Sequence, residues 1–150
     1  MSLDRFISLW MDPDYPPRRI SEPELAAVES RFDFEFPLEY REAALRHGLV
    51  SPTIALLDVI VDDEHHMADL SQMLPADEMI SRTEDWRDMG LPLDMVAYAT
   101  DCGGNLFCFR TDGSPNIFYF DHDFGTLETV APSFTAWIEA YCAIAPEREG

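Results

Sequence analysis

The chain has 150 residues, the length of one domain, and its 47% hydrophobic and 12% aromatic content supplies a packed core and argues against intrinsic disorder. Twenty-nine Asp and Glu face ten basic residues, all of them Arg, for a formal net charge of −19. With no basic stripe to displace counterions, a nucleic-acid-binding surface is nearly excluded and an anionic membrane is disfavoured.

The first ten residues contain Asp4 and Arg5 and lack the basic start and long apolar run of a signal peptide. No later stretch approaches 18 uncharged apolar residues, so a soluble cytoplasmic protein is expected. Three cysteines, an odd number, argue for reduced thiols and against a disulfide framework.

Residues 3–11 predict a short helix with Leu3, Phe6, Ile7 and Trp10 on one face, ended by the proline-rich stretch up to Pro17. Ser21 opens the next helix. Its hydroxyl can cap the first turn, Glu24 three residues on completes a capping box, and Leu25, Val28 and Phe32 form the inward stripe. Pro37 starts a third helix, with Tyr40, Ala44 and His47 on one face and Gly48 as its stop. Residues 54–61, rich in β-branched side chains and followed by Asp62, Asp63 and Glu64, predict a strand running into an acidic turn. The pattern of 65–74 favours neither helix nor strand.

Residues 75–89 predict a helix with Met79, Ile80 and Trp86 inward. Short strands are then expected at 95–99, 105–110, 116–120 and 127–130, joined by turn residues such as Asp112-Gly113-Ser114-Pro115. Ser133 caps a last helix whose Phe134, Trp137, Ile138, Tyr141 and Cys142 share a face. Helices, then strands, then one closing helix predict a single α+β domain over 1–150, with a mostly antiparallel sheet of about five to six short strands and helices on one face.

Four segments, in order, are similar to one family. Ile20-Ser21-Glu22-Pro23-Glu24-Leu25 leads to Phe36-Pro37-Leu38-Glu39-Tyr40-Arg41, and Ala99-Thr100-Asp101-Cys102-Gly103-Gly104-Asn105-Leu106-Phe107-Cys108 follows. Tyr119 to Asp123 and Val130 to Ile138 complete the set. Over residues 20–142 the chain resembles the SUKH superfamily, which includes bacterial immunity proteins and a fungal cell-wall assembly regulator. The family's Asn-Gly-Gly after the second helix is replaced here by Arg46-His47-Gly48-Leu49, and 53–90 matches loosely. The Gly-Gly-Asn segment also has a purely structural reading. Its glycines permit positive φ, Asn105 can hold the turn through its side chain, and a strand follows where a phosphate cradle would need a helix.

Catalytic chemistry finds little support. Asp121-His122-Asp123, with His65-His66 as further candidate ligands, could hold a divalent metal or provide acid and base. In a strand, however, His122 points away from the two aspartates, and no His-x-x-x-His spacing occurs. Cys102 follows Asp101, which disfavours a thiolate, and Cys108 and Cys142 fall at core positions. No catalytic residue, metal or cofactor is expected.

Charge offers the better lead, since residues 1–50 carry −4 and residues 51–150 carry −15. Asp58, Asp62, Asp63 and Glu64, with Asp101, Asp121 and Asp123 near other strand ends, could present a negative field to a basic protein, although ordinary solubility explains surplus acid equally well. The resemblance implies the former. It suggests an immunity-type protein that occludes a cognate toxin, with a basic, nuclease-like domain as the expected partner. A regulatory scaffold like the fungal relative and a metal-dependent hydrolase are the rival readings.

Overall fold

The structure is a computed structural model describing residues 2–146. Helix α1 (Ser2–Trp10) buries Leu3, Phe6 and Trp10 on one face, and the Trp10 indole N–H donates to the Tyr141 carbonyl at 3.1 Å. Helix α2 (Glu22–Phe32) begins with the expected capping box: the Ser21 hydroxyl accepts from the Glu24 N–H, and the Glu24 carboxylate accepts from the Ser21 N–H at 3.1 Å. Helix α3 (Leu38–His47) stops at Gly48, where φ is +92°. A side chain there would bring a Cβ within 2.8 Å of the Arg18 carbonyl oxygen, because the chain crosses itself in an antiparallel bridge between Arg18 and Leu49.

Residues 54–61 are helical. The strand expected there is helix α4 (Ile54–Asp62), which buries Leu56 and Ile60, one helical turn apart. Its start is fastened to α1 through Thr53, whose N–H and hydroxyl both donate to the Trp10 carbonyl, at 2.8 and 3.0 Å. A helix satisfies its backbone internally, whereas a strand needs a sheet edge. The nearest edge is already occupied: the ambiguous stretch 65–74 ends in strand β1 (Gln72–Met73), and the Met73 N–H donates to the Val50 carbonyl at 2.9 Å.

Helix α5 (Ala76–Arg87) then leads to a meander of β2 (Met95–Thr100), β3 (Leu106–Arg110), β4 (Ile117–Asp121) and β5 (Thr126–Ala131), closed by α6 (Phe134–Ala143). The five strands lie in chain order, each antiparallel to its neighbour, in the α+β arrangement expected from sequence. Helices α1, α3 and α6 gather on one face, where Tyr98 stacks on Phe109 with ring centroids 4.0 Å apart and Tyr40, Phe134 and Trp137 complete an aromatic cluster, while the end of α5 reaches the other. The opposite face is also covered. Leu106, Cys108, Phe118 and Phe120 pack there beneath Leu91 and Trp86, so β2 and β3 are buried on both sides.

Candidate functional site

The structure divides the seven acidic residues singled out in the sequence into two groups. Asp58 and Asp62 lie on the exposed side of α4, Asp63 caps its C-terminus, and Glu64 follows with φ +54°. The sequence places no basic residue in the last turn of that helix. Asp101, Asp121 and Asp123 lie around the Gly-Gly-Asn turn and the end of β4.

Asp101 has a different task from its neighbours. It is 8% exposed, and its Oδ1 accepts from the Gly103 and Asn105 backbone N–H groups, both at 2.9 Å. Its Oδ2 accepts from the Asn105 side-chain amide at 3.2 Å and from the Tyr119 hydroxyl. Asn105 extends the network to β4, donating to the Tyr119 hydroxyl at 2.8 Å and accepting from the His122 N–H at 3.1 Å. The two oxygens of Asp101 thus serve four donors and hold the β2–β3 turn to the end of β4. Gly104, at φ +85°, supplies the positive φ that the turn requires. Asp121 and Asp123 remain at the surface side of this turn, with the Asp121 carboxylate accepting from the Asp123 N–H at 3.0 Å.

Of the histidines singled out, His122 lies beside one of these carboxylates, Asp123. The His122 ring packs against Trp86 with centroids 5.0 Å apart, and its Nε2 lies 3.4 Å from Asp123 Oδ1. Among the described residues, no group of three or more His, Cys, Asp or Glu side chains is placed to hold a metal ion. Partial burial, and then the Asp69 carboxylate, push the exposed Cys102 thiol up from its ordinary pKa, while burial does the same to Cys108. Both thiols are therefore held away from the reactive thiolate.

Sequence reasoning missed two surface features. The first is apolar: Ile54 and Val61 on α4 are 71% and 63% exposed. Their signal was present in a segment whose only polar residues are Asp58 and Asp62, a mostly apolar composition that normally marks a buried element. The second is a cavity of about 510 Å³ between the 66–68 segment, the β4–β5 hairpin and α6, with Phe107, Tyr119, Trp137 and Tyr141 in its wall and Glu128 at its rim. Its residues come from five separate parts of the chain, so no local pattern announces it. No helix is long and apolar enough to cross a membrane among the described residues.

A family model described as SMI1 / KNR4 family (SUKH-1) matches residues 19–140. No curated protein matches the chain.

Proposed function

The chain belongs to the SMI1 / KNR4 (SUKH-1) family, and from that premise we propose that it is an immunity-type binding protein acting in the cytoplasm, which neutralises a cognate bacterial toxin by covering its working surface. The observation that carries this reading is the combination, on one exposed element, of acidic and apolar side chains that the fold itself does not use: Asp58, Asp62, Ile54 and Val61 on α4. A nuclease-like toxin is basic where it grips phosphate, and an acidic protein with apolar contacts fits such a surface. The other acids have graded roles. Asp63, Glu64, Asp121 and Asp123 contribute to the field, and Asp101 holds the turn that positions the last two.

The reading is of binding without catalysis. Partial burial and the Asp69 carboxylate push the Cys102 thiol up from its ordinary pKa, His122 is packed on Trp86, and the Asp101 carboxylate is already engaged by four donors.

The test is to look for a toxin reading frame beside this gene, whose absence would itself count against the proposal, and to express its toxin domain alone and together with the protein. Co-expression is expected to restore growth, and the purified pair to form a complex whose association slows as salt shortens the Debye length from about 10 Å at 0.1 M to about 3 Å at 1 M. Continued toxicity and no complex would sink the proposal.

A further inference from the structure

Among the described residues helix α4 makes no extensive packing contact with any other helix or strand, and its composition does not suit that position. Seven of its nine residues are apolar, a composition normally enclosed, yet α4 sends only Leu56 and Ile60 into the core. Ile54, Asp58, Val61 and Asp62 lie four, seven and eight residues apart along one exposed stripe, with half-buried Leu57 at its side. Two features at the end of the helix also run against its stability. The negative end of the helix dipole meets Asp62 and Asp63 with no basic residue in the last turn. Glu64 occupies the left-handed position, at φ +54°, that helix ends usually give to glycine. Exposed apolar side chains, acids at the unfavourable pole and a strained Glu are each costly to the isolated chain. A positively charged, partly apolar surface laid over them would relieve the first two.

We propose that the outward stripe of α4, from Ile54 to Glu64, is the docking surface of this protein, and that its occupant is a protein partner whose contact patch is basic around an apolar centre. Ile54, Leu57 and Val61 form the apolar middle, while Asp58, Asp62, Asp63 and Glu64 select a cationic rim. This rests on the reading that the protein acts by binding another protein, but it does not require that partner to be a toxin.

Two arms test the surface. In the first, the complex with the toxin domain identified by the test above is mapped by hydrogen exchange, and binding kinetics are measured for Ile54→Ser with Val61→Ser and for Asp62→Asn with Asp63→Asn. All four sites are exposed, so the fold should persist, as checked by circular dichroism. Protection should centre on 54–64, the apolar pair should raise the dissociation rate at least tenfold, and the charge pair should slow association severalfold at low salt. Protection elsewhere, for instance around the cavity rim at 66–68 and 128–130, with wild-type kinetics in both variants, overturns the surface while leaving the toxin reading intact.

If no toxin complex forms, the second arm decides. An amphipathic Lys/Leu helical peptide is titrated into the labelled protein and followed by NMR. Shifts clustered on 54–64, lost in both double variants, support the surface although the toxin reading has failed; shifts spread over the whole acidic surface and unchanged in the variants overturn it.

Discussion

At the scale of single residues, the same type of side chain does unlike work according to where the backbone places it. Asp101 and Asp62 are both aspartates in a strongly acidic chain, yet one is sealed among four donors and the other lies on an exposed helix. Thr83 shows the same economy in the core. Strands β2 and β3 change register between Ala97 and Ala99, which frees the Ala97 N–H, and the buried Thr83 hydroxyl accepts from it at 2.9 Å. Across the bulge, the Tyr98 carbonyl accepts from the Leu74 N–H at 2.8 Å. Both of these backbone groups beside the bulge are thus paired. The Asn105 amide has three partners in Asp101, Tyr119 and the His122 N–H. Asn105→Ala removes all three contacts and leaves a partly buried carboxylate and N–H short of partners. A loss of about 1 to 3 kcal/mol in urea unfolding is expected. A loss within the usual surface range of about 0.5 kcal/mol would show that the turn holds without its side chain.

At the scale of elements, legibility tracked how far each segment's structure is decided by its own sequence. Helix α2 was readable because Ser21 and Glu24 cap each other, and α6 because Ser133 accepts from the Ala136 N–H at 3.1 Å ahead of a five-residue apolar face. The meander followed from its turns, and the resemblance of residues 20–142 was carried by the same capped and turned segments. Helix α4 was not readable. Ile54, Val59, Ile60 and Val61 favour strand locally, and the outcome depends on Thr53 being tied to Trp10 and on Val50 having taken the edge of β1, both long-range facts. Strand β1, only two residues long, had too little pattern to declare itself. For the site, sequence gave the acids but could not separate the engaged Asp101 from the exposed ones. It also gave no hint of the cavity. Helix α6 carries the clearest energetic expectation. Trp137 is buried among Tyr98, Phe107, Phe134 and Tyr141, with ring centroids between 4.9 and 5.9 Å away. Trp137→Ala should therefore cost about 3 to 5 kcal/mol, read as an earlier midpoint at unchanged slope in urea. A surface-sized loss would mean that α6 does not seat on the sheet through this ring.

At the scale of the whole molecule, the net charge of −19 acts on the fold itself as well as on any partner. Like charges spread over a domain of this size repel, and the repulsion opposes the compact state more than the expanded one. Against it stand a few ion pairs. Arg41 bridges Glu22 and Glu29, the latter at 3.1 Å, and Arg31 reaches Glu84 at 2.7 Å. Such pairs are mostly solvent-exposed and contribute up to about 1 kcal/mol each. Ten Arg cannot neutralise twenty-nine acids, so the unpaired excess sets the sign of the salt effect. Added NaCl screens the many long-range repulsions more than the short contacts, because the Debye length falls from about 30 Å at 0.01 M to about 10 Å at 0.1 M. The melting temperature should therefore rise by several degrees between 10 mM and 300 mM NaCl and then level off, since about 1 kcal/mol corresponds to roughly 2 to 4 °C in a domain of this length. Chloride is the right anion for the measurement; sulfate would stabilise through surface exclusion whatever the charge. The Asp62→Asn with Asp63→Asn variant should melt higher than wild type in 10 mM NaCl and converge on it in 300 mM, because it removes two of the charges crowded at the end of α4. A melting temperature that falls with NaCl would mean that the ion pairs outweigh the excess. The acidity would then stabilise this fold, and its concentration in residues 51–150 would no longer mark a cost kept for the sake of a partner.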